Sequence, residues 1–237
     1  GIEIPKNSYQ EKQKDQLNEK LLELLEKSTC FFQNALISDV GKNARQYLAS
    51  RGIDNKMINT FRIGFAPTIN GGLKAFLLNS GVKEELLILS GLVVEPNGNE
   101  KQNTYDRFRN RIIFPINNKR GKVIGFGGRA LGNNTPKYLN SPETPIYHKG
   151  NELYGLSHAI QRARKEDTII VTEGYLDVIS FHQAGFMNTV APLGTAITEA
   201  QIKTLWNTVT EPIFCFDGDE AGKRAALKTA IKVLPLL

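Results

Sequence analysis

The sequence predicts a mixed chain in which helices and then strands fill the first two thirds, while the last third is an α/β unit with a parallel sheet. Three observations carry this. From Asp167 the pattern runs strand, helix, strand, helix, strand, helix, and alternation of that kind argues for parallel strands joined by crossovers. Before Ser90 the apolar spacing is helical, and between Leu92 and Phe126 it changes to short apolar runs, the period expected of strands.

Taken in order, residues 1–12 are polar, contain Pro5 and read as a linker. Leu17, Leu21, Leu24 and Leu25 fall at i, i+4, i+7 and i+8, one apolar helix face that continues toward Leu36. Helices are predicted over Lys42–Arg51, stopped by Gly52, and around Asn55–Phe61, before a break at Ala66 and Pro67. Two more follow over Gly71–Asn79 and Lys83–Ser90, each with a glycine stop. Strands are predicted at Leu92–Val94, Ile112–Ile116 and Lys122–Phe126, the last two joined by the turn residues of NNKRG.

In the final third the strands are Thr168–Thr172, Thr189–Pro192 and Ile213–Phe216, and the helices Tyr175–Ala184, Thr198–Trp206 and Ala221–Val233. The chain ends at Leu236 and Leu237, after a helix and where a further strand is expected, so the sheet is expected to be incomplete.

The 237 residues suit one large domain or two modest ones. No stretch has the apolar length of a membrane span and no signal-peptide pattern opens the chain, which reads as cytoplasmic with no membrane partner. Cys30 and Cys215 are too few and too far apart for a zinc ribbon, and His148, His158 and His182 have no ligand spacing. No zinc site is expected.

Net charge is +6, unevenly spread. Residues 101–149 hold ten Lys or Arg against two acids, a surplus of eight that leaves the rest at −2, and residues 166–237 carry nine acids against five bases. A polyanion held beside a metal site explains both.

Two predicted strands end on acids: Thr168–Thr172 on EGYLD, with Glu173 and Asp177, and Ile213–Phe216 on FDGDEAG, with Asp217 and Asp219. Ligands collect outside the carboxyl ends of parallel strands, so the two acid groups can converge despite their separation in sequence. Carboxylates are hard ligands, and few of them plus water suits magnesium and its substrate phosphates. Read singly, each acid is a helix cap or a solvated turn.

In RFRNRIIFPI, Arg107, Arg109 and Arg111 have period 2 and share a face if the segment is a strand, either as a phosphate site or as a solvated edge. IGFGGRALG lacks the G-x-G-x-x-G spacing, and Gly132, Asn133 and Asn134 undermine the helix such a fingerprint needs; a bend or bulge allowing close backbone approach fits better. Lys137, Tyr138, Asn140, Lys149 and Tyr154 follow in a loop-rich stretch that can offer phosphate contacts and ring faces.

RFRNRIIFPI, GKVIGFGGRAL, PKYLNSPET, HKGNELYGL, VTEGYLDV, APLGTAIT and FDGDEAG, in this order, resemble successive blocks of the bacterial DnaG-type primases, in their central RNA-polymerase core. The resemblance covers nearly the whole chain, and the region from Asp167 is similar to the TOPRIM domain of topoisomerases and some nucleases. It implies an α+β N-terminal subdomain over 13–166 followed by an α/β TOPRIM domain over 167–237, Rossmann-like, largely parallel and incomplete at its C-terminus. It further implies a DNA primase, a nucleotidyltransferase that makes short RNA primers on single-stranded DNA from ribonucleoside triphosphates.

By the same resemblance, Glu173, Asp217 and Asp219 are the catalytic and metal-binding acids, with Asp177 in the same patch. Arg109, Arg111, Arg129, Lys137 and Lys149 are basic residues facing the cleft, and Asn140 is a nucleotide contact. The implied cofactor is magnesium, with manganese substituting. A replicative helicase is the partner implied for a longer protein, through a domain absent here. The family's amino-terminal zinc-binding domain is likewise not in the sequence, and its third acidic cluster would follow residue 237. Competing readings are a TOPRIM topoisomerase or nuclease, an aspartyl phosphatase built on the DxD, and a single-stranded-DNA-binding module whose acids are structural.

Overall fold

The computed structural model describes residues 9–68, 72–96, 103–132, 135–194 and 196–236. Most of the predicted linker, together with Gly71, Asn133, Asn134 and Thr195, lies outside them. The first helix, α1 (Tyr9–Ile37), takes in the last residues of that linker. Gln10 to Asp15 are exposed and carry no Gly or Pro, so nothing stops the helix until the apolar stripe begins. That stripe is buried at Leu21, Leu24, Leu25, Phe32 and Leu36.

Next come α2 (Lys42–Ser50), α3 (Asn55–Thr60), β1 (Gly64–Ala66), α4 (Leu73–Asn79), α5 (Glu84–Leu89) and the short β2 (Val93–Val94) and β3 (Tyr105–Asp106). Asp54 caps α3 by accepting the Met57 N–H. The strands β4 (Arg111–Asn117), β5 (Val123–Ala130) and β6 (Tyr138–Asn140) complete an antiparallel sheet with the order β1-β4-β5-β6. A register irregularity at Ile116 and Asn117 bulges this sheet beside the 117–121 turn.

Sequence alternation assigns this sheet two faces. Phe126 and Ile113 meet α1 and α4 on one face, with the Phe126 ring edge-on to Phe32 at 5.4 Å. Ile112, Phe114, Ile116 and Ile124 meet α2, α3 and the second sheet on the other.

Then come β7 (Leu153–Tyr154), α6 (Leu156–Glu166), β8 (Thr168–Val171), α7 (Tyr175–Gln183), β9 (Thr189–Pro192), α8 (Glu199–Trp206), β10 (Glu211–Phe214) and α9 (Glu220–Val233). The second sheet has the order β10-β8-β9-β7, with β8 parallel to both neighbours and β7 antiparallel. The fold is thus the expected α+β region followed by an α/β region with a largely parallel sheet. Both β7 and α6 precede Asp167, yet they pack with the second sheet, through Leu153, Leu156, Ala159 and Ala163.

Two expectations need correction. Arg107, Arg109 and Arg111 do not share a strand face: β3 ends at Asp106, β4 begins at Arg111, and Asn110 adopts a positive φ of 50° that breaks the run. Nor is GFGG a bend. The glycines 125, 127 and 128 lie inside β5, where they admit rings rather than backbone: Tyr147 at Gly125, Tyr175 at Gly127 and Phe108 at Gly128.

Phe61 joins the two halves from beneath, its ring 4.7 Å from that of His158 on α6 and 5.0 Å from that of His182 on α7. Burial lowers the pKa of both histidines, and the neighbouring His182 lowers that of His158 further. A base with a depressed folded pKa contributes stability above its unfolded value that is lost as pH falls. The thermal midpoint is therefore expected to drop as pH falls below the ordinary histidine value of 6.5, and to drop less in His158→Leu. Identical pH profiles for the two proteins would contradict this.

Candidate nucleotidyl-transfer site

The second sheet brings the acid segments together through its hydrogen-bond ladder. Cys215 N–H donates to Val171 O, extending the β10–β8 pairing by one residue, and then Glu173 Oε1 accepts the backbone N–H of Asp217 at 2.7 Å. Glu173 therefore ties the two strand ends. Asp177 sits in the first turn of α7, directly after Gly174, the N-cap of that helix. Burial, and then the charge of Asp217, push the Asp177 carboxyl up; Glu173 adds to this, against the Gly174 N–H and Arg51.

Asp219 is engaged differently. It caps α9 by accepting the Gly222 N–H at 2.8 Å. A Cβ on Gly222 would stand 2.0 Å from Asp217 O, so the glycine of FDGDEAG is what lets the helix start this close behind the acid. Among the described residues, no group of three or more His, Cys, Asp or Glu is assembled as a metal cage. Of the four carboxylates expected from sequence, Glu173 accepts the Asp217 N–H, Asp177 feels the charge of Asp217 and Glu173, and Asp219 uses one carboxylate oxygen to cap α9.

The chemistry of these donors is of the kind a divalent cation takes. Their atoms are hard oxygens, and Asp177 feels the unbalanced charge of Asp217 and Glu173, which a bound cation would relieve.

A cavity of about 820 Å³ adjoins the cluster, lined by Glu173, Asp177, Tyr138, Asn140 and Lys149 and floored by Val171, Phe214 and Phe216. The Lys149 side chain passes over Gly194, where a Cβ would stand 3.3 Å from its Cε. Asn140 serves as a strut: its Nδ2 donates to Leu193 O, and its Oδ1 accepts from the Tyr175 hydroxyl. Tyr175 is 6% exposed, and burial drives its pKa well up. It is unsuited to be the nucleophile a topoisomerase needs.

The basic residues divide between the two faces of the first sheet. Arg129 pairs across strands with Tyr138, and Gly127 with Asn140, so Arg129 shares the face of the acids. Arg107, Arg109 and Arg111 instead line a second cavity, of about 700 Å³, with Tyr105, Thr135, Pro136 and Leu139 and, among the described residues, no acidic side chain in the lining. Arg111 is 5% exposed and donates to Pro136 O at 2.8 Å. Burial and Arg109 both lower its pKa. Arg107 Nε donates to Gly91 O, and the Arg109 guanidinium stands over the Tyr105 ring at 4.6 Å. Lys137, exposed at the start of β6, lines neither cavity.

Sequence reasoning passed over Arg51 as a site residue. Arg107 was visible in the arginine run, whereas Arg51, at the end of α2, carries no local signal and reaches Asp177 only through the fold.

Asp177→Asn tests the acid cluster. An acid whose folded pKa is raised loses stability as pH rises through its titration. The variant is therefore expected to melt higher than the parent at neutral pH. That gain should vanish below the ordinary aspartate value of 3.8 and shrink when magnesium is added. A variant that melts lower than the parent at neutral pH would refute the crowding of charge.

Residues 31–160 match the family model described as DNA primase catalytic core, N-terminal domain, and residues 167–236 match the Toprim domain. The chain is similar to the DNA primase of Pseudomonas putida, 44% identical over 229 residues, which are 95% of this chain and 34% of that protein. It thus spans about a third of the length of the curated relatives it matches. It also resembles a DnaG primase catalytic domain solved bound to ssDNA, with 43% identity and a TM-score of 0.82, over 94% of this chain and 68% of that one. The RNA polymerase domain of Mycobacterium tuberculosis primase DnaG aligns with 35% identity and a TM-score of 0.81, over 89% of this chain and 70% of that one.

Proposed function

The chain belongs to the DnaG primase catalytic-core family, and from that premise we propose that it is the part of a primase that joins ribonucleotides on a single-stranded DNA template. The observation that carries this reading is the pairing of the strand-end acids across β8 and β10, one sheet edge away from an arginine-lined cavity. Single-stranded DNA is the template by analogy with the relative solved bound to it.

In this reading a primer 3′-hydroxyl attacks the α-phosphate of an incoming ribonucleoside triphosphate and pyrophosphate leaves. Glu173, Asp217 and Asp177 would hold magnesium, or manganese in its place, and the ion supplies charge neutralisation for the phosphates. Asp219 keeps the entry of α9 closed behind Asp217. Lys149 and Arg129, on the acidic side, hold triphosphate oxygens. Arg107, Arg109 and Arg111 bind template phosphates in the second cavity, with Lys137 and Tyr138 at the rim between them. Asn140, assigned from sequence to the nucleotide, lines the cavity of the acids and also fixes the loop at Leu193.

The basic unit of 13–166 and the Toprim unit of 167–237 divide the labour of template and chemistry, with the working boundary at Leu153 because β7 and α6 pack with the second sheet. Recruitment by a replicative helicase in the cytoplasm belongs to the longer protein. No helix among the described residues is long and apolar enough to cross a membrane.

The test is primer synthesis on single-stranded DNA with magnesium, in a protein extended to the length of the relatives' catalytic cores. Asp217→Asn is expected to lower the rate about a hundredfold or more, as removal of an electrostatic stabiliser does. Arg109→Ala should weaken DNA binding at every sequence and reduce its salt slope. Metal-independent DNA binding with no incorporation by the unsubstituted protein would favour the binding-module reading.

A further inference from the structure

Arg129 is held in a way that phosphate binding alone does not require. Its guanidinium carbon stands 3.9 Å from the centroid of the Tyr47 ring, and Tyr47 comes from a distant element, the half-buried face of α2. One Nη donates to Ala130 O at 2.9 Å. The Nε is buried and has no hydrogen-bond partner, so no carboxylate pairs with this arginine in fork geometry. A planar guanidinium stacked on a ring keeps its in-plane N–H groups free for an anion.

The surroundings indicate which anion. Arg129 faces Tyr138 across the β5–β6 pair, and Asp177 is near enough to act on the Tyr138 phenol. The guanidinium also hydrogen-bonds the Tyr138 phenol, which places it on the side of the sheet that carries the acid cluster, not on the side of the arginine cavity.

We propose that Tyr47 is a positioning residue: its ring face pre-orders the Arg129 guanidinium for the phosphates of a nucleoside triphosphate bound beside Asp177. This rests on the assignment of Arg129 to the triphosphate made above. Holding a long side chain in its bound conformation strengthens binding by removing an ordering cost. With the cation–π contact included, loss of the ring should weaken triphosphate binding about three- to tenfold. The hydroxyl has no part in this.

The experiment is a titration of the present chain with a methylanthraniloyl-labelled ATP and magnesium, for the parent, Tyr47→Phe, Tyr47→Leu, Arg129→Ala and the double variant Tyr47→Leu/Arg129→Ala. Melting curves for each and the Arg129 Nε–Hε resonance accompany it. Tyr47→Phe should keep most of the affinity and the ring-shifted resonance; Tyr47→Leu should lose both. The leucine substitution should cost nothing further once Arg129 is alanine. Tyr47→Leu binding as the parent does, or costing the same with Arg129 absent, would overturn the proposal, and a change in melting temperature alone would assign Tyr47 to packing. Failure of the parent to bind the nucleotide would instead overturn the triphosphate reading on which the proposal stands.

Discussion

The packing of one ring, Tyr175, against Gly127 of β5 sets the geometry of everything else. At Gly127 a Cβ would lie 2.4 Å from the Tyr175 Cζ, so only glycine admits the ring. It stacks on Phe114 at 5.2 Å with planes 3° apart, meets Tyr154 edge-on at 4.7 Å, and donates its hydroxyl to Asn140. Aromatic pairs in these geometries add to the burial they bring. Because Glu173 and Asp177 lie two residues before and two after Tyr175, docking this ring on the first sheet also sets where the acids stand relative to the basic residues of that sheet.

Electrostatics follow from that placement. The acids gather at the carboxyl ends of β8 and β10, where burial and then like charges raise the pKa of Asp177. The arginines separate onto the two faces of the first sheet, and β6 is the narrow edge between them. One sheet edge therefore divides a strongly basic cavity from one that mixes acids with Lys149, Lys228 and Lys232. A long polyanion can reach the first without meeting the repulsion of the second, while a compact triphosphate with its cation suits the second.

Much of this was legible in the sequence because it depends on local pattern. The apolar stripe of α1, the alternation after Asp167 and the strand ends at EGYLD and FDGDEAG all follow from spacing and from acid and glycine positions. Three things were not legible. Asn110 takes a positive φ, so period 2 misassigned the arginine run, and the shared cavity of these arginines arises from a loop instead. The α6 stripe of Leu156, Ala159 and Ala163 is built mostly of small residues and ends among the charges Arg164, Lys165 and Glu166, so no helix was assigned there. The strut formed by Asn140 joins residues more than thirty positions apart, which no local signal encodes.

The measurement that tests the central claim most directly is the unfolding free energy of Gly127→Ala, Tyr175→Leu and the double variant. If the Tyr175 ring occupies the space over Gly127, alanine alone should cost about 1–3 kcal/mol, as overpacking does, and much less once Tyr175 is leucine. An alanine variant as stable as the parent, or an undiminished cost in the leucine background, would contradict it.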